Sequence, residues 1–296
     1  MTRVTLTKEG LAIVDSGPLH MTVHVSEKGV PLSELAKSGA IFALEILKQQ
    51  ADSLSVIKER VSSLSVSETY PEAVNRMISA VSSMNDPTLT PLAAVAGATS
   101  DMVADYVTRA GATKIIVDNG GDIAIRLREG ETATVGLRLN LMRPDYKYLA
   151  LIDRDCGICT SGIGGRSFTL GVADGVTVVS HQAALADAAA TFLGNKTVVT
   201  SPNVKRVLAE SIYPDTDLVG VEVTHSVGAL SDEEIDTAMN MSKAEALRLM
   251  ESSLIYGAVI SVKDHVDTIG YFVKAIKKAN LGASSQLESW KAGMLE

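Results

Sequence analysis

The chain has 296 residues, of which 46% are hydrophobic and 21% are charged, and its formal net charge at pH 7 is −8. An acidic chain without a dense run of lysine and arginine is a poor match for a nucleic-acid backbone, and an aromatic content of 4% is too low for a platform that stacks single-stranded bases. The first ten residues lack a signal-peptide core, and no stretch reaches the roughly 18–20 apolar residues of a membrane span. We therefore expect a cytoplasmic protein that binds neither nucleic acid nor membrane.

The first 110 residues predict strands followed by helices. The apolar patterns indicate strands over 3–6, 11–14 and 19–25. They indicate helices over 33–50, 71–84 and 97–110. Gly111 is placed to end the third helix. A serine-rich segment (53–67) and a connector with two prolines (85–91) separate the helices.

The middle of the chain predicts a hairpin and a strand that leads into a helix. Strands over 113–118 and 122–128 are joined by Asn119-Gly120-Gly121, a strong signal for a tight turn. A further strand covers 132–139. The β-like stretch Gly175–Ser180 then leads into a helix over 182–193.

The C-terminal part predicts mainly helices. The patterns Ser231-x-x-Glu234 and Ser242-x-x-Glu245 resemble capping boxes, which would begin two helices near residues 232 and 243. A strand over 256–262 and a last helix over about 266–280 follow. Without repeats or a flexible linker, we expect one α+β domain over 1–296, with a loosely ordered tail over about 284–296.

The helix over 182–193 carries one acidic residue among small apolar ones. Asp187 and Thr191 are four residues apart and therefore share a face of the helix. A buried carboxylate needs a positive partner or several donors, and two oxygens on one face suit a hard cation such as Mg²⁺. Alternatively, Asp187 accepts backbone N–H bonds and Thr191 bonds back to its own helix.

The loop over 160–167, TSGIGGRS, precedes this helix and is rich in glycine and hydroxyl groups. Gly162, Gly164 and Gly165 would let several N–H groups turn toward an anion, and Arg166 adds a charged fork. The loop matches neither a Walker A motif nor the dinucleotide fingerprint. A tight connection without a ligand is the alternative interpretation.

The chain has two cysteines, Cys156 and Cys159, spaced as C-x-x-C. Such a pair can form a redox disulfide, carry a persulfide or supply half of a metal site, and a four-cysteine site would need a second subunit in a homodimer. Two semi-buried thiols beside a loop are the alternative.

Four segments occur in an order that resembles the ApbE superfamily, the thiamine-biosynthesis-lipoprotein relatives that act as FAD-dependent flavin transferases. They are PLAAVAGATSDMVADYV (91–107), IIVDNGGDI (115–123), TSGIGGRSF (160–168) and VTVVSHQAALADAAATFL (176–193). The resemblance covers about residues 85–195 and is closer to a shorter cytoplasmic branch. It implies an ApbE-like α+β fold with largely antiparallel sheets that are covered by helices around a central cleft.

The resemblance also implies a set of site residues. In the transferases, a helix motif ending A-D-A-x-A-T supplies a metal-binding Asp and Thr, which correspond to Asp187 and Thr191. The Gly-Gly-Asp turn and the Thr-Ser-Gly loop correspond to Gly120, Gly121, Asp122, Thr160, Ser161 and Gly162, and Asp101 corresponds to an acidic residue of the first helix. The implied cofactors are Mg²⁺ and FAD or FMN.

Two positions depart from the transferase pattern. Ala96 replaces a lysine of the first motif, and after Phe168 the transferases carry a histidine and an Asp-Pro…Thr-Gly turn, where this chain reads TLGVADG (169–175). Our leading hypothesis is therefore an ApbE-like protein that binds a phosphate-bearing small molecule with Mg²⁺, with flavin transfer left open. The alternatives are a sulfur or redox enzyme that uses Cys156 and Cys159, and a non-catalytic ligand-binding subunit of a metabolic complex.

Overall fold

A computed structural model describes residues 3–108, 110–128, 130–142, 148–270 and 272–275. Its centre is a ten-stranded sheet in which all neighbouring strands are antiparallel. The strands of this sheet are β1 (Arg3–Leu6), β2 (Ala12–Ser16), β3 (Leu19–Glu27), β4 (Val30–Pro31), β5 (Lys114–Asn119), β6 (Asp122–Leu127), β9 (Cys156–Ser161), β10 (Gly175–Ser180), β13 (Gly257–Val262) and β14 (His265–Ile269). Their spatial order is β1-β2-β3-β5-β6-β9-β10-β13-β14, and β4 pairs with β3.

Two smaller antiparallel sheets accompany the large one. A three-stranded sheet has the order β15-β8-β7, and a hairpin-like pair joins β11 to β12. These strands are β7 (Ala133–Leu137), β8 (Tyr148–Ile152), β11 (Val204–Leu208), β12 (Glu222–Val227) and β15 (Val273–Ala275). The three-stranded sheet packs on one face of the large sheet, where Ile125, Ile158 and Val135 share a buried cluster.

Helices cover the opposite face of the large sheet. They are α1 (Ser33–Asp52), α2 (Leu54–Ile57), α3 (Glu72–Ser82), α4 (Val95–Thr108), α5 (Ala183–Asn195) and α7 (Asp232–Glu251), with 3₁₀ turns at Val61–Ser63 and Pro91–Ala94. The short helix α6 (Ala209–Ile212) instead contacts β11 of the two-stranded sheet. The main core lies between this layer and the sheet and contains fully buried residues such as Met21, Ile46 and Leu193. The predicted α+β class with antiparallel sheets covered by helices is confirmed.

Helices α4 and α5 approach each other so closely that only glycine fits between them. A Cβ atom on Gly97 of α4 would lie 2.2 Å from the Ala183 carbonyl oxygen, and a Cβ atom on Gly157 of β9 would lie 2.2 Å from the Ala183 Cα. Both distances are far inside van der Waals contact. The first turn of α5 is therefore held between α4 and the sheet by two missing side chains.

The turn between β5 and β6 has the predicted hairpin form. Gly120 and Gly121 both have positive φ angles, 69° and 106°, which suits a two-residue hairpin loop. Asn119 and Asp122 form the last cross-strand pair before this loop. On the other side of β5, Met21 of β3 is the cross-strand partner of Asn119.

Two predictions for the C-terminal part are wrong. The capping box at Ser231 and Glu234 is confirmed, but α7 then runs unbroken to Glu251, and no second helix begins at Ser242. Ser242 is instead fully buried, and its hydroxyl donates to the Leu193 carbonyl oxygen at 2.9 Å, where it satisfies an acceptor near the end of α5. The helix predicted from about 266 is replaced by β14 and β15, and its remainder lies outside the described residues, as does the predicted tail over 284–296.

Several elements had no counterpart in the sequence-based prediction. These are β4, β8, β9, β11, β12 and the short helices α2 and α6. Most matter little for the site, but β9 places Cys156, Cys159, Thr160 and Ser161 on a strand rather than in a loop. Among the described residues, no helix combines the length and the apolar character that a membrane crossing requires.

We predict that Gly97→Ala destabilises the protein and that Gly194→Ala does not. Both glycines lie in helices, where alanine is intrinsically favoured by about 1 kcal/mol. A Cβ atom on Gly194 would meet its nearest neighbour, Thr169 Oγ1, only at 3.9 Å, whereas on Gly97 it would collide with backbone. Urea unfolding should show a loss of about 2 kcal/mol or more for Gly97→Ala. Equal stability of the two variants would contradict the close crossing of α4 and α5.

Candidate functional site

The candidate site lies at the turn between β5 and β6, which are central strands of the large sheet, next to the N-termini of α4 and α5. Asn119 and Asp122 are direct cross-strand partners on β5 and β6, so their side chains point to the same face of the sheet. This is the helix-covered face, because Val117 and Ala124 on the same sides of their strands belong to the main core. Both side chains therefore point toward α4 and α5.

Helices α4 and α5 each supply a carboxylate that accepts a hydrogen bond from an N-terminal amide of the other helix. Asp187 Oδ2 of α5 accepts a hydrogen bond from the Gly97 amide of α4 at 2.9 Å, and Asp101 Oδ2 of α4 accepts one from the Ala184 amide of α5 at 2.9 Å. Each carboxylate thus meets unpaired N–H groups and the positive end of the other helix dipole. Asp187 accordingly points into the protein between the two helices and not into bulk solvent.

Asp101 has a cationic partner as well. It is 1% exposed, and its Oδ1 accepts a hydrogen bond from the Arg126 guanidinium on β6 at 2.9 Å. Arg126 also pairs with Asp105 at 2.8 Å. Asp101 is therefore a neutralised structural carboxylate that supports the first turn of α5.

Among the described residues, Asp122 and Asp187 have no such ion pair, and both have raised pKa values. Burial raises the pKa of Asp122 to about 7, and the Asp118 charge adds to this, whereas the Cys159 thiol, Arg166 and the Thr160 amide act in the opposite direction. Burial also raises the pKa of Asp187 well above its usual range, and the Asp122 charge raises it further, against the Gly97 and Ala96 amides and Arg166. The two carboxylates are therefore close enough to repel each other.

Two buried oxygens of the site make no hydrogen bond with the described residues. They are Oδ1 of Asp122 and Oδ1 of Asn119. The Asn119 side chain was predicted only as part of a turn, and no pattern in the sequence shows that its oxygen is buried without a donor. Both atoms are acceptors, so a cation or an outside donor would satisfy them.

The glycine-rich loop was predicted to turn N–H groups toward an anion, but several of its groups take part in internal packing. The Ile163 amide donates to the Ala173 carbonyl oxygen at 2.9 Å, and the Gly165 amide donates to the Gly162 carbonyl oxygen at 3.1 Å. Cβ atoms on Gly164 and Gly165 would lie 2.4 Å from Met142 Sδ and 3.3 Å from Leu141 Cδ1. At least part of the glycine content therefore lets the loop pack against residues 141–142.

Arg166 reaches from this loop to the turn beside the acidic residues. Its guanidinium donates to the Pro18 carbonyl oxygen at 2.6 Å and to the Asn119 carbonyl oxygen at 3.5 Å. A Cβ atom on Gly120 would lie 2.5 Å from Arg166 Nη2, so the glycine makes room for the guanidinium. Arg166 is exposed to solvent, and its charge partly offsets the burial that raises the pKa values of Asp118, Asp122 and Asp187. Arg166 therefore lies at the β5–β6 turn, where its charge acts on Asp187 of α5.

The remaining predicted residues occupy different positions. Thr160 directs its hydroxyl to Thr177 Oγ1 at 2.8 Å, on the face of the sheet opposite to Asp122, and only its amide lies near that carboxylate. Ser161 and Thr191 are buried, with Thr191 one turn after Asp187 on α5. Among the described residues, no group of three or more His, Cys, Asp or Glu side chains has the arrangement of a metal site.

The cysteine pair is divided between the two faces of the sheet. Cys156 belongs to the cluster below the three-stranded sheet, and Cys159 belongs to the main core under the helices. A disulfide requires Cβ atoms about 4 Å apart, which opposite faces of one strand do not allow. Both thiols are free and buried, and burial raises the pKa of Cys156 to about 12 and that of Cys159 well above its usual range. This arrangement weighs against a redox pair or a shared metal site.

A surface groove of about 430 Å³ lies elsewhere, between α1 and α4. Its walls include Ile41 and the stacked rings of Phe42 and Tyr106. None of the predicted site residues lines it.

Comparisons with known proteins agree with the resemblance in the sequence. A family described as AbpE bacteria matches residues 4–268. A UPF0280 protein of Methanosarcina acetivorans is 41% identical over 134 residues, which are 44% of this chain and 50% of that protein. A UPF0280 protein of Methanococcus vannielii is 30% identical over 225 residues, which are 73% of this chain and 87% of that protein.

The extent of the matches differs between relatives. The chain spans only about half the length of the first relatives, 50% for Methanosarcina acetivorans and 54% for Methanosarcina barkeri. Among solved structures, the apo form of the flavinyl transferase ApbE of Pseudomonas stutzeri has a TM-score of 0.49 and 14% identity, over 91% of this chain and 95% of that one. The family assignment therefore follows from the sequence matches. Because the family match covers residues 4–268, this chain belongs to the family described as AbpE bacteria.

Proposed function

We propose that the protein binds a phosphate-bearing small molecule, with a flavin nucleotide as the first candidate, together with Mg²⁺ at the N-termini of α4 and α5. The flavin is suggested by family membership and by the four ApbE-like segments of the sequence. The observation that carries the proposal is the pair Asp122 and Asp187. These are two carboxylates with raised pKa values that lie near each other, without an ion pair to the described residues.

A divalent cation would relieve the repulsion between these carboxylates. Mg²⁺ commonly binds one or two carboxylates and completes its shell with water and phosphate oxygens, so a site without three acidic or histidine ligands suits it. Asp187 and Asp122 would supply the charge, and the Thr191 hydroxyl one turn away would supply a neutral oxygen. When bound, the cation would neutralise the charge of a phosphate.

Arg166 is the residue best placed for the phosphate itself. Its guanidinium is exposed and lies over Gly120, next to the acidic residues. A planar guanidinium can bind two phosphate oxygens at once, and its 3.5 Å contact with Asn119 is long enough to be exchanged. In this proposal, Gly162, Gly164 and Gly165 contribute mainly by setting the path of the loop that carries Arg166.

We propose binding and not flavin transfer because the segment over 169–175 is packed inside the protein. Val172 and Ala173 are fully buried, and their amides donate to Thr197 Oγ1 at 2.9 and 3.0 Å. This is the segment in which the ApbE transferases carry a histidine and a turn. Here the segment packs against the loop after α5 and offers no histidine to a ligand.

We predict that Asp187→Asn abolishes ligand binding without unfolding the protein. The amide oxygen of asparagine can still accept the Gly97 N–H, but the charge that attracts a cation is lost. In thermal shift experiments with MgCl₂ and FAD or FMN, ligand at about 100 Kd should stabilise the wild-type protein by about 2.7 kcal/mol and leave Asp187→Asn unchanged. Asp236→Asn, on the exposed side of α7, is the matched control and should behave as wild type. Flat wild-type curves, or a normal shift in Asp187→Asn, would contradict the proposal.

We also predict that the metal-free protein loses stability as the pH rises through about 7. The folded-state pKa of Asp122 lies above that of the unfolded chain, so between about pH 4 and 7 the folded protein holds a proton that the unfolded chain has lost. Stability is therefore largest at the acidic end and declines toward pH 8. Asp122→Asn should flatten this decline and raise stability at pH 8 by about 1 kcal/mol or more. A decline that persists unchanged in the variant would assign the effect to another group.

We further predict that neither cysteine reacts with a thiol reagent in the folded protein. Reactive thiols are accessible and have lowered pKa values, whereas both of these are buried and have raised ones. Labelling with Ellman's reagent at pH 7.5 should be negligible in buffer and should reach both thiols in guanidinium chloride. Fast labelling of the native protein would revive the sulfur or redox alternative.

A further inference from the structure

We propose that the amide oxygen of Asn119 is a further ligand of the divalent cation and acts together with Asp122 Oδ1. This inference rests on the proposed function and adds to it a residue that family resemblance does not assign. Its basis is the pair of buried oxygens without hydrogen-bond donors, which neighbouring strands place side by side.

The burial of Asn119 makes the unpartnered oxygen costly. The residue is 4% exposed, and its Oδ1 has no hydrogen-bond partner among the described residues. A buried carbonyl oxygen without a donor costs about 1–3 kcal/mol, and such groups in folded proteins generally have a functional or solvent-mediated explanation. Met21, the cross-strand neighbour on β3, is fully buried, so an apolar side chain would suit this position.

The turn does not need the Asn119 side chain. Asparagine before glycine commonly bonds to the turn backbone, but here Asp118 does so, because its Oδ1 accepts the Gly121 amide at 2.7 Å. The Asn119 amide nitrogen instead lies 3.5 Å from the Ala96 carbonyl oxygen of α4. With the nitrogen end turned toward this carbonyl oxygen, the oxygen end is left for another partner.

The neighbouring oxygen has the same deficiency. Asp122 Oδ1 is buried without a donor, and the Cβ atoms of directly opposed residues are about 4.5–5.5 Å apart. Two acceptors cannot satisfy each other, but one cation can satisfy both. Carboxylate and amide oxygens are also the ligands that hard divalent cations prefer.

Binding of Mn²⁺ to the full-length chain, measured by isothermal titration calorimetry and by the Mn²⁺ paramagnetic resonance signal, tests this assignment. Asn119→Leu should weaken Mn²⁺ binding by about tenfold or more. The same variant should leave the urea midpoint of the metal-free protein unchanged or higher, because it removes an unsatisfied polar group. Asn119→Asp, which keeps the oxygen and adds charge, should bind Mn²⁺ at least as tightly as wild type.

Controls separate this assignment from a structural role and from the proposed function. Asn75→Leu removes an asparagine that bonds to Ser67 and Tyr70, and it should lower stability while leaving Mn²⁺ affinity unchanged. If wild type binds Mn²⁺, Asp187→Asn does not and Asn119→Leu binds normally, the Asn119 assignment is wrong and the proposed site stands. If wild type does not bind Mn²⁺, or all variants bind it equally, the proposed function fails with it. Should Asn119→Leu not fold, Asn119→Ala takes its place in the same comparison.

Discussion

The close crossing of the N-termini of α4 and α5 is the constraint on which the site depends. Two helix N-termini that meet bring together two positive dipole ends and several N–H groups without intrahelical partners. Carboxylates on the opposite helix satisfy two of these N–H groups, because Asp187 accepts the Gly97 amide and Asp101 accepts the Ala184 amide. These hydrogen bonds require near contact of the backbones, which Gly97 and Gly157 permit because neither has a Cβ atom.

The two carboxylates are equivalent in geometry but differ in charge balance. Asp101 is held by Arg126 at 2.9 Å, so its negative charge is neutralised within the fold. Within the described residues, Asp187 has no ion pair, and its neighbour Asp122 adds negative charge from the sheet. The same packing therefore produces one carboxylate with a structural role and one that has no ion pair among the described residues. This asymmetry is the physical reason why we propose a cation at α5 and not at Arg126.

The sequence predicts well what local pattern determines. The main helices and the strands β1, β2, β3, β5, β6 and β7 follow from apolar periodicity, and Asp187 stands out because it is the one acidic residue of a mostly apolar helix. The prediction fails where tertiary contacts decide. Ser242 has the spacing of a helix cap, yet it lies inside α7 because its hydroxyl satisfies a carbonyl oxygen of α5, which no local pattern can reveal.

The cysteine pair and Asn119 also show the limit of predicting chemistry from residue spacing. Spacing suggests a function for the cysteines that the structure does not favour, and it gives no sign of one for Asn119. Spacing in a loop would make Cys156 and Cys159 neighbours, but strand alternation along β9 sends their sulfur atoms into different cores, so the motif loses its chemical meaning. Asn119 has the spacing of an ordinary turn residue, but Asp118 takes over the turn bond, which leaves the Asn119 oxygen buried beside Asp122. In both cases chemistry depends on which side of a strand a residue faces and on which neighbour has already satisfied the backbone. The resemblance therefore predicts a site at the helix with Asp187, and the geometry of the sheet decides which oxygens would accompany it.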